Sequence, residues 1–444
     1  MPRLPAREIV GAIGSGFTEF PTPLREEPAD GPIGWPGYRE ARSAAEERTG
    51  EKESVVCGTA KIGDFEAVLI AFEFGFLGGS LGQRTGDRIE AAFAHARDVR
   101  LPVVSLIATG GSRMQQGMRA LMQLQRVARA SALTRSVGIP QISVLRDPTT
   151  GGGWATLGAG ADIILALPEA QVGFAGSRVR PPGSPEAYTA EAHLGWGQVD
   201  AVVAPEDLAG VLERWLRLLT AHSSAAAPPP SALRAAPLPS TGWEAVQAAR
   251  SPSRARAAEY LDAYFDWRED VSGDRVGGTD PGVACGFGWR DGRTIAYAAQ
   301  CGTPTSPAGF RTAARLVRLA SRLGIPVLTL VDTPGAANDA AAEQAGAGGA
   351  IAEMFEAVAT ASVPVTTLVI GEGGSGGALA FAAAGSTWVA PDAYFSVTSP
   401  EAAAAILKRP ASEAPDIANQ LYLRPQDLVD LGVARAVISP AQAQ

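Results

Sequence analysis

Residues 147–153 read DPTTGGG and residues 371–377 read GEGGSGG. Each stretch follows a short apolar, β-branched run, Ile139 to Val144 in one case and Val363 to Ile370 in the other. Each opens a helix of small residues that closes in Ala-Gly, at Gly160 and at Gly385. Counted back from those closing glycines, Gly151 and Gly376 occupy the same place, which aligns them at an offset of 225. A strand that runs into a glycine pair and then a helix aims free backbone N–H groups at one point, and such a point stabilises anions. Two of them in one chain predict a protein that handles two oxyanions.

The repetition extends outward from the turns. LPVVSLIATGG (101–111) matches IPVLTLVDTPG (325–335), so that Pro102 and Pro326, like Thr109 and Thr333, stand 224 apart. An amphipathic helix precedes each of these strands, over Glu90 to Val99 and over Thr312 to Arg322. GQVDAVV (197–203) answers GVARAVI (432–438), and the longer spacing there places about ten extra residues around Ile406 to Gln420. A long repeat with matched turns predicts two homologous domains rather than a solenoid of short repeats. Strand, helix, strand, glycine turn and helix alternate in each half, so the class is α/β.

The expected organisation has four parts. Residues 1–50 form an irregular N-terminal arm with a charged helix near Glu40 to Arg48, and residues 51–220 the first domain. Residues 221–242, rich in Ala, Pro and Ser, read as a semi-extended linker. Residues 243–444 are the second domain, with helices expected over 243–267 on the spacing of Tyr260, Tyr264 and Trp267.

Composition narrows the function. A chain of 444 residues, nearly half of them apolar, suits two cores of about 200 residues each. The formal charge of −8 and the lack of a basic stripe speak against nucleic acid. No apolar run approaches the roughly 20 residues of a membrane span. MPRLPAREIV has no apolar leader core, and Cys57, Cys285 and Cys301 are scattered singly. The expectation is a cytoplasmic protein without a bound metal. His95, His193 and His222 fall away from the glycine turns, so a histidine-based triad is not expected. The phosphate loop of nucleotide hydrolases is missing. Gly371, Gly373 and Gly376 fit G-x-G-x-x-G, with Asp392 at the distance of a ribose-binding acid. The turn at 147–153 does not fit that pattern, and what the halves share is the glycine pair. Such glycines also serve tight backbone geometry alone. Two copies, each beside a second glycine turn (Gly110-Gly111; Gly335), favour function.

At these residues the chain resembles the carboxyltransferase of biotin-dependent acetyl-CoA carboxylase. FEFGFLGGSLG (72–82), TGGSRMQQG (109–117), ISVLRDPTTGG (142–152) and GFAGSRV (173–179) resemble the bacterial β subunit. WEAVQAAR (243–250), SGDR (272–275), VDTPGA (331–336), VIGEGGSGGALA (369–380) and SVTSPEAAAAIL (396–407) resemble the α subunit. The resemblance implies two tandem crotonase-like domains, each a spiral of ββα units, with an active site between an N-terminal and a C-terminal domain. It implies transfer of CO2 from carboxybiotin, carried by a partner protein, to the α-carbon of an acyl-CoA, as in making malonyl-CoA for fatty acid or polyketide precursors. Loss of CO2 leaves charge on the ureido oxygen, which takes the acyl α-proton; the enolate then attacks CO2. Each charge lies on oxygen, and a backbone oxyanion donor is worth roughly 3–4 kcal/mol.

By matching motifs, the resemblance places Gly151 and Gly152 on the thioester side and Gly376 and Gly377 on the biotin side, as catalytic groups. Gly110, Gly111, Arg113 and Arg178 fall to the acyl-CoA, the two arginines near its phosphates. Gly335, Gly373 and Gly374 fall to the cofactor side, and Glu372 and Glu401 to capping or biotin contact. The implied partners are a biotin carboxyl carrier protein, a biotin carboxylase and further copies of the chain. Three departures accompany the match. The β subunit's four-cysteine zinc ribbon is missing. Ala337-Asn338-Asp339 and Glu343-Gln344-Ala345-Gly346-Ala347 stand where Tyr-Pro-Gly and Glu-Glu-Arg-Gly-Gln are expected, and Ala299-Gln300-Cys301 where His-Gln-Lys is expected. A biotin-independent decarboxylase of malonyl or alkylmalonyl thioesters and a non-catalytic scaffold are the alternatives.

Overall fold

A computed structural model of the protein describes residues 3–440. They divide into two compact units, one running to Thr220 and including Arg275–Gly277, the other formed by Ala221–Asp274 and the chain from Gly278 onward.

The first unit is built on strands β1 (Ser15–Glu19), β2 (Val55–Ile62), β3 (Phe65–Phe72), β4 (Val103–Thr109), β5 (Gln141–Thr150), β6 (Ile163–Ala166), β7 (Val172–Gly173) and β8 (Ala201–Val202). Their order is β1-β2-β3-β4-β5-β6-β8, with β7 paired to the far end of β5. β1, β2 and β3 are antiparallel, and every pairing from β3 onward is parallel. The second unit repeats the plan with β9 (Trp267–Asp270), β10 (Val283–Arg290), β11 (Arg293–Gln300), β12 (Val327–Thr333), β13 (Val365–Gly374), β14 (Thr387–Val389) and β15 (Tyr394–Ser396). Its order is β14-β13-β12-β11-β10-β9, with β15 on β13.

The duplication holds at the level of single hydrogen-bond registers. Val103 pairs with Gln141 as Val327 pairs with Val365. Both ladders break in the same way, passing over one residue of β4 or β12 and three of β5 or β13, and resume at Thr109↔Thr149 and Thr333↔Gly373. The isolated bridges Leu81↔Ser112 and Thr305↔Ala336 keep the same offset of 224. So do the helices Gln83–Val99 and Pro307–Leu323, both longer than their amphipathic cores. Ile89, Ala92, Phe93 and Ala96 face inward from one, and Phe310, Ala313, Ala314 and Val317 from the other. That is a helical apolar stripe laid on a sheet. β4 and β12 are buried along their whole length, as parallel strands covered on both faces must be.

Three segments differ from the sequence expectation. The N-terminal arm is not irregular throughout. Ala6–Ile13 is a helix that buries Ile9, Val10 and Ile13, and β1 pairs with β2. Both pieces are too short to announce themselves by periodicity among prolines and glycines. Residues 221–242 are irregular but packed. Ala227 O accepts from Thr366 Oγ1 (2.7 Å), and Pro228 O from the Tyr264 hydroxyl (2.8 Å). A proline-rich chain lacks donors but keeps its acceptors. The helix expected to reach Trp267 stops at Tyr264, and Trp267 opens β9, stacked on Trp289 with ring centroids 6.1 Å apart. The extra residues near 406–420 follow the helix Pro400–Ile406 and include the helix Ala414–Gln420. Among the described residues no helix is long and apolar enough to cross a membrane.

Candidate active site

Each unit presents a pair of adjacent glycine turns where its two central parallel strands end. In the first, the Gly111 N–H donates to Thr109 Oγ1 (3.0 Å), and Gly111 O accepts from the Leu81 N–H (2.9 Å). The neighbouring turn begins at Gly151, whose φ of 62° is left-handed and whose N–H is shared between Gly173 O (3.1 Å) and Phe174 O (3.0 Å). A Cβ on Gly151 would lie 3.0 Å from Gly111 Cα, so the two turns touch backbone to backbone. Gly152, Gly153 and Trp154 follow in the first helical turn, where no carbonyl of the same helix lies ahead of their N–H groups.

The second unit repeats this. The Gly335 N–H donates to Thr333 Oγ1 (3.1 Å), and Gly335 O accepts from the Thr305 N–H (3.1 Å). The left-handed residue here is Ser375, with a φ of 58°. The helix Ser375–Leu379 starts at that residue. Gly151 therefore corresponds to Ser375, Gly152 to Gly376 and Gly153 to Gly377, at an offset of 224. The alignment of Gly151 with Gly376 is corrected by one residue, because the strand registers, not the Ala-Gly ends, set the match. The Gly151 amide is therefore occupied by the carbonyls of Gly173 and Phe174. Gly152 and Gly153 in one unit, and Gly376 and Gly377 in the other, lie in the first turn of the helix that follows.

The glycines differ in what surrounds them. At Gly376 a Cβ would meet nothing within 4 Å, whereas at Gly377 it would lie 2.4 Å from the Ala336 nitrogen. At Gly152 it would meet the Leu124 side chain at 2.2 Å. Gly373 and Gly374 lie within β13, where a Cβ would fall 1.8 Å from the Phe395 ring and 2.0 Å from Pro334 O. Both are buried. Beside Gly376 opens a cavity of about 380 Å³, walled by Leu379, Phe395, Val397, Tyr422, Leu428 and Val433.

The arginines fall into different settings. Arg113 is buried, and its guanidinium binds Glu53, the Tyr38 hydroxyl (3.2 Å), Ser54 Oγ (3.1 Å) and Ser80 O (2.7 Å). Burial alone would raise the Glu53 carboxyl, but Arg113 outweighs it and holds that carboxyl below its ordinary value. Assignment of Arg113 to CoA phosphates is therefore corrected: every face of its guanidinium is taken, and it braces the loop after β4. Arg178 is exposed, in the loop that follows Phe174. Glu372 and Glu401 are both bound by Arg250, at 2.9 and 2.7 Å, and Glu372 also accepts from the Tyr394 hydroxyl (2.8 Å). The Arg250 hydrogen bond holds Glu401 below its ordinary carboxylate value. These two acids anchor the WEAVQAAR helix, Gly242–Arg250, beside the second turn.

Sequence reasoning set all three histidines apart from the turns, and the structure moves one. His193 is buried, with Nε2 on Val172 O (3.2 Å) and its ring against Trp154 and Trp196 (5.5 and 5.7 Å). Burial lowers its pKa and favours the neutral ring. It tethers β7, whose carbonyl side holds the Gly151 amide, and only the fold brings it there. Ser375 was also missed, and Gln300 was given no role beyond its place in Ala299-Gln300-Cys301. The offset of 224, applied strictly, finds Ser375 opposite Gly151. Gln300 is the residue that keeps its place in the expected His-Gln-Lys, but only the fold brings its side chain to Gly377.

The carboxyl transferase domain model matches residues 37–222, and the acetyl co-enzyme A carboxylase carboxyltransferase-like model matches residues 239–443. The acetyl-coenzyme A carboxylase carboxyl transferase subunits beta/alpha of Salinispora arenicola are 40% identical over 96% of this chain and 80% of the relative. The protein of the same name from Natranaerobius thermophilus is 32% identical over 92% and 74%. Transcarboxylase 12S, a hexamer solved with methylmalonyl-coenzyme A, has a TM-score of 0.79 at 21% identity, over 98% of this chain and 87% of its own. A single-chain, multi-domain long-chain acyl-CoA carboxylase has a TM-score of 0.78 at 20% identity, over 99% of this chain and 45% of its own. At those identities the likeness of the two structures is one of fold.

Proposed function

The chain belongs to the carboxyltransferase family of biotin-dependent acyl-CoA carboxylases, and we propose that it moves CO2 from carboxybiotin on a separate carrier protein to the α-carbon of an acyl-CoA, forming malonyl-CoA or a close analogue. The observation that carries this reading is the pair of glycine turns. They share one geometry, offset by 224 residues, and each ends in helix-terminal N–H groups. A reaction that develops charge on two oxygens in turn needs two such places.

The Gly152 and Gly153 amides hold the thioester oxygen and stabilise it as the enolate forms. The Gly376 and Gly377 amides orient the ureido oxygen. When bound, carboxybiotin supplies the CO2 and, after releasing it, the base that takes the α-proton. The second turn fits such a group. Gly376 leaves open space where a side chain would stand, and the adjoining cavity has apolar walls suited to a fused ring system. Arg178, exposed beside the first turn, is the arginine available to CoA phosphates. Transcarboxylase 12S is a hexamer; for this chain we propose a homo-oligomer, at least a dimer, in the cytoplasm. The biotin carboxylase and the biotinylated carrier are separate chains.

The reaction is tested in reverse. The purified protein is given malonyl-CoA with and without free biotin, and acetyl-CoA and CO2 are followed. Acetyl-CoA that appears only with biotin is the expected result. Equal release without biotin would replace carboxyl transfer with decarboxylation.

A further inference from the structure

We propose that Gln300 is the positioning residue of the second glycine turn, tying Gly377 and the loop after β12 into the orientation the reaction uses. This rests on the reading above, in which that turn holds the ureido oxygen. Gln300 is the last residue of β11 and is fully buried. One Nε2–H donates to Gly377 O (3.1 Å) and the other to Thr305 Oγ1 (3.1 Å).

Both partners belong to the frame of the site. The helix Ser375–Leu379 is short and irregular at its end. The Ala380 N–H donates to Gly376 O (3.0 Å), and the Phe381 N–H donates to Ala378 O (3.1 Å). Gly377 O, whose regular helical partner would be the Phe381 amide, is held by Gln300 instead. Thr305 in turn grips the other loop with its backbone, giving its N–H to Gly335 O (3.1 Å) and taking the Ala337 N–H on its carbonyl (2.9 Å). A single carboxamide thus sets the spacing of the two loops whose amides meet at the second site.

The orientation of that carboxamide is determined by its surroundings, because a carbonyl only accepts and so faces Nε2. Gln300 Oε1 is then buried with no hydrogen-bond partner among the described residues. A buried, unpaired amide oxygen is unfavourable, and an apolar side chain of similar size would avoid it. A purely structural position has no use for that arrangement; a position that must hold Gly377 O and Thr305 has one.

The test uses the full chain and two substitutions, in the biotin-dependent assay with malonyl-CoA. Gln300→Met keeps the volume and removes both donors. It is expected to keep the melting temperature within a few degrees and to lower kcat by about 10- to 100-fold. KM for malonyl-CoA is expected to stay within about twofold, since the first turn is untouched. Gln300→Glu places a buried carboxyl against Gly377 O, where only its protonated form can donate. Its activity relative to wild type is expected to rise as the pH is lowered from about 8 to about 6. Wild-type kcat in Gln300→Met, or a Gln300→Glu ratio that is flat with pH, would overturn the proposal. If Gln300→Met does not fold, the pH ratio decides. Loss of folding in both would also overturn it, by making Gln300 a core residue only. Absence of biotin-dependent transfer in the wild type is a separate result and would sink the functional reading instead.

Discussion

Gly376 and Gly377 are neighbours with opposite tolerances, and this decides which substitution reports on chemistry. A side chain on Gly376 enters open space, so Gly376→Val is expected to fold and to melt near the wild type. It would push the reacting oxygen off its donors, and turnover is expected to fall by about 10²–10³, the effect of losing one oxyanion donor. Near-normal turnover in a folded Gly376→Val protein would remove the second oxyanion site. At Gly377 the added carbon collides with the Ala336 nitrogen, so Gly377→Val is expected to lose stability first. Gly151 is different again. Its left-handed φ and its contact with Gly111 make Gly151→Ala costly by about 1–2 kcal/mol, measured by chemical denaturation. Ser375 tolerates the same conformation in the second unit, which marks the spot as one demanded by the turn and not by glycine as such. The residue-scale picture was half legible in sequence. The glycine pairs were visible, but which amide points out and which points in depends on carbonyls at Gly173 and Phe174 that follow about 20 residues later.

At the scale of elements, the loops after the central strands are held by buried ion pairs. In the first unit Arg113 and Glu53 tie the loop after β4 to the segment before β2. In the second, Arg254 binds both oxygens of Asp332 at the end of β12, at 2.6 and 2.7 Å. Removing one partner leaves the other charged and buried, so Glu53→Gln is expected to cost about 3–5 kcal/mol near neutral pH. The pH dependence has a definite sign. The folded Glu53 carboxyl lies below its unfolded value, so its contribution is complete above the ordinary carboxylate range of about 4.3 and is lost as pH falls through the lowered folded value. The gap in melting temperature between wild type and Glu53→Gln is therefore expected to narrow below about pH 4. A gap that stays constant to pH 3 or widens would contradict the pairing. Sequence showed the arginine inside a matched motif and suggested a ligand for it. Its partner Glu53 lies 60 residues earlier, with no pattern to connect them.

At the scale of the molecule, the expected oligomer can be tested by complementation. Gly152→Val and Gly376→Val each disable one turn and leave the other intact. If turns from different protomers serve one reaction, co-folding the two inactive proteins is expected to restore about a quarter to a half of wild-type activity, by counting intact pairs in a symmetric dimer. No recovery together with a monomeric mass would assign both turns to one chain. The sequence by itself determined the duplication, the α/β class, the family and the two glycine turns. Those features rest on local periodicity and on repeats at a constant offset, which a linear string preserves. The tertiary structure alone decided the burial of Arg113, the approach of His193 to the first turn and the grip of Gln300 on Gly377. Each of these depends on a contact between segments that only strand register and packing bring together, and such contacts leave no period in the chain.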